Sequence, residues 1–369
     1  MRAAVVRSRS GPFVVEDLRD PEPGPGEVLV RVAACGVCHT DLHIHDGSVA
    51  FPLPCVLGHE ISGTVVGAGD DVTVIGVGDR IVGAFVMPCG TCRMCTAGRE
   101  ELCEPFFAHN RLNGTLYDGR TRLFAADDTP VWMYSMGGLA ELAVVPALAV
   151  APVPTTVPLE DAAILGCAFL TAYGALHHVG CVAPGASVVV IGAGGVGLSV
   201  VQVARALGAA TVIAVDVAAD RLATALDLGA TATVLGSAAD AIDQIRDLTG
   251  GTGADVAIEA VGQPGTFRQA TEAVADGGRC VMVGIAGAGV TAQVEITRLV
   301  RRKLQVLGSF GGRPRSDLSA LAELVAAGAL DPGAVISRRF ALDEADLAYR
   351  TLRERGIVGR SIVLPSPRR

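Results

Sequence analysis

Ten cysteines stand in this chain of 369 residues, and four of them, Cys89, Cys92, Cys95 and Cys103, fall in one short stretch punctuated by Pro88, Gly90 and Gly98. A compact turn can bring four thiolates to about 2.3 Å from one tetrahedral Zn2+, and filling all four positions leaves none for a substrate. The expectation is a structural zinc. Free buried cysteines and an iron–sulfur cluster compete with it, and the tight spacing favours zinc over both.

A second constellation is dispersed: Cys38, then Gly58-His59-Glu60, then a cysteine at 167 or 181. Two thiolates and a neutral imidazole would leave Zn2+ formally neutral, with the fourth position open to water or a substrate oxygen. Such an open site is catalytic. Spacing alone favours Cys38 and His59 as ligands and does not choose Cys167 over Cys181. Asp41 or Glu60 would orient the His59 ring through its other nitrogen.

The run Ile191-Gly192-Ala193-Gly194-Gly195-Val196-Gly197 follows a β-branched stretch and opens a helical one. In a dinucleotide-binding turn Gly192 permits the tight turn, Gly194 lets the backbone approach a pyrophosphate, and Gly197 lets the helix pack close to the strand. The pyrophosphate then sits on free N–H groups at the positive end of the helix. Asp216 ends the following strand about 20 residues on, where a carboxylate accepts the ribose hydroxyls of NAD and repels the phosphate of NADP. The expected cofactor is therefore NAD. Arg221 is the competing signal, since it could neutralise a phosphate.

These residues need elements to hold them. Up to about residue 154 the pattern is short alternating strands and Pro-Gly turns, as in Glu27-Val-Leu-Val-Arg-Val. After that, strands at 187–191, 211–215, 233–235, 255–259, 279–283 and 304–307 alternate with helices at 196–207, 220–228 and 238–249. Alternation of this length predicts a parallel, doubly wound sheet with its ligand crevice at the carboxyl ends of the strands.

Composition narrows the partners. A formal charge of −8 argues against nucleic-acid or anionic-membrane surfaces, both of which need a basic footprint. Residues 162–204 carry no Asp, Glu, Lys or Arg, yet Pro184, Gly185 and the glycine cluster interrupt them, so a buried strand and turn are expected rather than a membrane span. No signal-peptide core opens the chain, so a cytoplasmic location is expected, where clustered cysteines point to metal rather than disulfides.

In this order and spacing, Cys38-His39-Thr40-Asp41-Leu42-His43, Gly58-His59-Glu60, the four-cysteine lobe, Gly166-Cys167 and Gly192 to Gly197 resemble the zinc-containing alcohol dehydrogenases of the medium-chain dehydrogenase/reductase superfamily. The resemblance runs over nearly the whole length. It implies an α/β fold with a mainly-β GroES-like catalytic domain over 1–166 and 310–369 and a Rossmann cofactor domain over 167–309. It also implies two Zn2+ per chain, with Cys38, His59 and Cys167 as catalytic ligands, and a proton relay from Thr40 to His43.

His39 and Arg360 would contact the pyrophosphate. Thr171 and Val196 would contact the nicotinamide, and Gly195, Val261, Gly262, Val283 and Ile285 would make further cofactor contacts. Phe85, Met133 and Tyr134 would line an apolar pocket for a primary alcohol or aldehyde with an apolar or aromatic side chain, and Arg111, Arg120 or Arg122 in the lobe could reach its entrance. The long lobe from 104 to 140 is similar to that of dimeric animal-type enzymes, which implies a homodimer, and of thiol-adduct formaldehyde dehydrogenases. The glutathione-dependent members carry an arginine where this chain has Phe107 and lack the histidine found here at 43.

Overall fold

The computed structural model describes residues 1–365, so the end of the expected first domain at 366–369 lies outside the described residues. The chain divides into two units. One comprises Met1–Leu170, Arg313–Ala327 and the chain from Ile336 on; the other comprises Thr171–Gly312 and Gly328–Val335.

The first unit is built on two sheets. The larger runs in the order Val150–Pro152, Arg80–Gly83, Ile61–Ala68, Glu27–Val37, Arg360–Leu364, Ile336–Ala341, with Leu142–Pro146 also paired to Glu27–Val37. Glu27–Val37 is long enough to take two antiparallel partners along one edge, Leu142–Pro146 against its first half and Arg360–Leu364 against its end, while Ile61–Ala68 runs along the other edge with register shifts near Leu29 and Val32. Val28, Val30 and Val32 are fully buried while Arg31 is exposed, the alternation of a sheet with one packed face. The smaller sheet joins Phe13–Asp17, Arg2–Val6, Cys55–Val56, Pro130–Met133 and Leu123–Phe124.

The second unit is one six-stranded parallel sheet in the order Ala232–Leu235, Thr211–Asp216, Ser187–Ile191, Ala254–Glu259, Val274–Met282, Gln305–Gly308. This is the doubly wound order, whose switch point lies beside the first strand. Apolar side chains including Val189, Ile213, Val215, Ile245 and Cys280 fill one core cluster of this sheet.

Two elements differ from expectation. The helix expected over 238–249 starts at Ala241, because Ala238 N–H bonds Leu235 and Ala241 N–H bonds Ala238 in successive turns. The strand expected over 279–283 begins at Val274, since Ala254 pairs with Val274 but Val256 pairs with Arg279, leaving an irregular stretch between. Residues 328–335, grouped with the first domain on sequence, belong to the second unit: Gln202 donates to the Asp331 carbonyl (2.9 Å) and accepts from the Asp331 N–H (2.7 Å). Among the described residues no single helix is long and apolar enough to cross a membrane; the apolar stretch Leu159–Gly166 and Ala168–Val179 is bent by 46°.

Candidate active site

Strand Glu27–Val37 delivers Cys38 to the N-terminus of helix His39–His45, which carries Thr40, Asp41 and His43. Gly58, at φ +98°, turns the chain just before His59, and a Cβ there would lie 2.6 Å from Cys35 Sγ, so only glycine fits. Cys167 follows the single turn Ala163–Gly166, tied to the sheet by a hydrogen bond from Phe85 N–H to the Gly166 carbonyl (3.0 Å). Segments far apart in sequence thus converge: ligand-type atoms of Cys38, His59, Glu60 and Cys167 all lie within 4.8 Å of one another, and all four residues are buried. Cys181 is exposed in the second unit, which separates it from Cys167 where spacing could not.

Asp41 rather than Glu60 orients the His59 ring. Its Oδ1 takes His59 Nδ1 at 3.0 Å and accepts from Gly58 N–H at 3.3 Å, while its Oδ2 accepts the Tyr349 hydroxyl at 2.8 Å. With Nδ1 engaged, Nε2 faces the cluster, 3.9 Å from Glu60 Oε1. Burial lowers the His59 pKa, but Asp41 and Cys38 outweigh it and hold the pKa well above the ordinary value.

Glu60 pairs with Arg360 (2.8 Å), also buried, yet alignment is poor and neither carboxylate oxygen has a hydrogen-bond partner. Burial pushes the Glu60 carboxyl up to about 7, although Arg360 opposes this. The Arg360 guanidinium also reaches within 3.9 Å of Cys167 Sγ. Between the two sulfurs the negative charge rests on Cys38, pulled well below the thiol range by its hydrogen bond with Cys167 and then by Arg360 and His59; Cys167 is pushed well above it. Buried sulfurs, an imidazole and an orphaned carboxylate, held by one arginine, form a donor set that suits a divalent, thiophilic cation.

Thr40 Oγ1 stands 3.7 Å from Cys38 Sγ. Thr40 and His43 are partly buried and one helical turn apart, hence on one face, while His39 is exposed. The Phe85 and Tyr134 rings both meet the His59 ring edge-to-face, at 6.1 and 5.8 Å between centroids. Met133 is fully buried, and like Leu123 it packs beside Gly137. Arg111 is the lobe arginine that comes near: its Cζ lies 5.0 Å from the Tyr134 ring centre, and its Nη1 is buried with no hydrogen-bond partner. Arg122 instead binds Glu27 through Nε and Nη2 (2.8 and 2.6 Å).

In the lobe, Cys89, Cys92, Cys95 and Cys103 also have all four sulfurs within 4.8 Å of one another. Backbone N–H groups point at the sulfurs: Cys89 N–H to Cys103 (3.2 Å) and Cys92 N–H to Cys89 (3.3 Å). Burial opposes ionisation of Cys92, but N–H groups at Cys95 and Glu104 win and draw it down to about 6; burial raises Cys95 to about 11. All ten cysteines are free of disulfides.

In the second unit, strand Ser187–Ile191 runs through the glycine turn into helix Gly195–Ala206. A Cβ at Gly197 would sit 1.7 Å from the Gly192 carbonyl oxygen, whereas a Cβ at Gly194 would meet nothing within 4 Å. One glycine is demanded by packing, and the other borders open space of the kind a ligand fills. Asp216 accepts from Ala193 N–H (2.7 Å) and Ala218 N–H (3.0 Å), with Arg221 Nη1 at 3.8 Å. Val261 and Ile285, 38% and 49% exposed, stand beyond the ends of their strands. Between them Gly262 and Val283 are partly buried, as is Val196 at the helix start, while Thr171 is buried. Glu259 anchors this loop by accepting from the N–H groups of Val261 and Gly262. Tyr349 is the member of the site least visible in sequence, because an aromatic on an amphipathic helix is unremarkable locally.

A GroES-like fold carrying a buried thiolate–imidazole cluster, joined to a Rossmann sheet, defines a medium-chain dehydrogenase. Residues 24–155 match the family model described as alcohol dehydrogenase GroES-like domain, and residues 195–327 match that of zinc-binding dehydrogenase. An NDMA-dependent alcohol dehydrogenase of Amycolatopsis methanolica is 34% identical over 98% of this chain and 99% of its own. Benzyl alcohol dehydrogenase of Acinetobacter calcoaceticus superposes with a TM-score of 0.92 at 32% identity, covering 99% of each chain. A zinc-binding dehydrogenase of Sinorhizobium meliloti 1021, bound to NADP, superposes with a TM-score of 0.83 at 33% identity, again over 99% of each. This chain belongs to the zinc-type alcohol dehydrogenases of the medium-chain dehydrogenase/reductase superfamily, and is an alcohol dehydrogenase-type oxidoreductase.

Proposed function

We propose that the chain oxidises primary alcohols, or reduces the corresponding aldehydes, with NAD and two Zn2+ per chain. One zinc is assigned to Cys38, His59 and Cys167 and the other, structural, to Cys89, Cys92, Cys95 and Cys103. The observation that carries the reading is the buried convergence of Cys38, His59 and Cys167 with Asp41 behind the imidazole. A zinc there supplies a Lewis acid that acidifies an alcohol hydroxyl, and NAD supplies the hydride acceptor.

The protein groups do the rest. Thr40, with its hydroxyl beside Cys38, takes the alcohol proton and passes it along its helix face to His43. Asp41 fixes the tautomer of His59. Arg360 opposes, without cancelling, the rise that burial gives the Glu60 carboxyl. Phe85 and Tyr134 give the substrate aromatic walls, so that an apolar or phenyl-bearing alcohol is preferred. Asp216, held by two backbone N–H groups, supports NAD over NADP.

A second reading, oxidation of an S-hydroxymethyl thiol adduct of formaldehyde, has one observation in its favour: the pocket walls are not wholly apolar, since Arg111 lies over Tyr134 with a buried, unpartnered Nη1. Metal analysis of the purified protein, with NADH absorbance followed over ethanol, hexanol and benzyl alcohol, tests both readings. The expected result is two zinc ions and a kcat/KM that rises with apolar size, by roughly 1–3 kcal/mol per methylene at best. One zinc or none would overturn the metal assignment. Inert alcohols beside rapid turnover of a thiol–formaldehyde adduct would install the second reading. Because one relative is NDMA-dependent, the same series run with NDMA as acceptor shows whether free NAD is the working oxidant.

A further inference from the structure

We propose that Tyr349 is a positioning residue of the active site, holding Asp41 so that the His59 Nε2 stays aimed at the metal. The inference rests on the reading that Cys38, His59 and Cys167 hold zinc, and extends it to a helix far away in sequence.

Asp41 is completely buried, and its two oxygens are divided between different tasks. Oδ1 serves the His59 ring and Gly58 N–H; Oδ2 receives the Tyr349 hydroxyl at 2.8 Å. A buried carboxylate that loses a donor is left with an orphaned oxygen, which costs far more than the net worth of the hydrogen bond and drives the group to turn elsewhere. Any rotation of Asp41 that finds a new partner for Oδ2 withdraws Oδ1 from His59.

The phenol itself has little freedom. Phe13 stacks on the Tyr349 ring with centroids 4.4 Å apart and planes 6° apart, and stacks again on His45 at 5.0 Å and 15°. His45 is pinned in turn, between the Gly11 carbonyl at Nε2 (2.5 Å) and the Arg353 guanidinium at Nδ1 (2.9 Å). Arg353 lies one turn beyond Tyr349 on helix Ala345–Arg353, so one helix supplies both the hydroxyl and the clamp that fixes the stack. Tyr349 touches neither metal ligand sulfur nor substrate wall in this network; its effect passes through Asp41.

Tyr349→Phe removes the hydroxyl and keeps the ring that stacks on Phe13. Zinc release into a chromophoric chelator is then followed for both metals, with the visible spectrum of the cobalt-substituted protein separating the Cys2His group from the four-cysteine lobe. The variant is expected to lose the metal at Cys38, His59 and Cys167 about 10-fold faster than wild type, the lower end of the 10–100-fold range for a direct outer partner of a metal ligand. The lobe metal, an internal control, should leave at the wild-type rate, and the cobalt bands of the Cys2His group alone should shift. Unchanged release of both metals, or equal acceleration of both, would overturn the proposal, since a merely structural tyrosine gives one or the other. Wild-type protein that loads no metal at the Cys2His group would instead overturn the zinc reading itself, and this inference with it.

Discussion

At the scale of single residues, cofactor choice turns on Asp216. Its carboxylate is only 7% exposed and is fixed by the N–H groups of Ala193 and Ala218, so it cannot swing away from a 2′-phosphate. Arg221 lies 3.8 Å from the same carboxylate, which neutralises part of the cation otherwise available to that phosphate. Asp216→Ala should therefore shrink the NAD to NADP ratio of kcat/KM by roughly ten- to hundred-fold, about 1.4–2.7 kcal/mol, as expected for removing one like-charge contact near a surface. The ratio is the measurement of choice because any loss of folded protein cancels from it. A native protein that already uses both cofactors equally would sink the NAD assignment. Residue chemistry of this kind was legible in the sequence wherever a motif is local, as at Gly192 to Gly197 or in the four-cysteine lobe. It was not legible where partners arrive from distant segments. Glu60 and Arg360 are 300 positions apart and meet only through the pairing of strands Glu27–Val37 and Arg360–Leu364.

At the scale of elements, the strand–turn–helix of the second unit separates two uses of glycine that look identical as letters. Gly197 has no room for a Cβ because the helix crosses the Gly192 carbonyl, whereas Gly194, at φ −83°, has open space before it and no backbone strain. Gly197→Ala should then lower the melting temperature, since either the turn or the helix must shift. Gly194→Ala should melt like wild type and yet bind NADH at least about ten-fold more weakly, because the added methyl occupies space reserved for the pyrophosphate. NADH titration by fluorescence, paired with thermal melts, checks both; a Gly194→Ala protein that binds NADH normally would mean that the cofactor approaches elsewhere. The six strands of the parallel sheet were foreseen, because β-branched runs mark them and three helices alternate with them in the sequence pattern. The turn before Ala241 and the irregular pairing at Ala254 were not, because both depend on hydrogen bonds that no local propensity encodes.

At the scale of the whole molecule, the sheet of the second unit ends in two unlike edges. Among the described residues, strand Gln305–Gly308 is an edge of the six-stranded sheet, with no strand paired to its outer side. The helix before it, Ile296–Arg301, buries none of its residues, and Ile296 and Val300 are 76% and 66% exposed. Leu299 packs this helix against the core of the sheet and Arg298 donates to the Thr271 and Glu272 carbonyls, but Ile296 and Val300 stay uncovered, and a second copy would supply the missing burial. The opposite edge, Ala232–Leu235, differs: its neighbouring helices Ala219–Asp227 and Ala241–Leu248 each bury part of an apolar face in their own chain, including Leu222 and Ile245. The expected assembly is a two-fold dimer in which Gln305–Gly308 pairs with its own copy and the helices Ile296–Arg301 cover one another, an isologous contact that closes and leaves no edge for further growth. Light scattering should give twice the mass of one chain for the wild type. Replacing both Ile296 and Val300 with Asp should shift it to the mass of a single chain, because two buried charges would face their own copies across the axis, while Leu235→Asp should leave the dimer intact. A monomeric wild type, or a dimer broken only by Leu235→Asp, would show that the sheet is closed some other way.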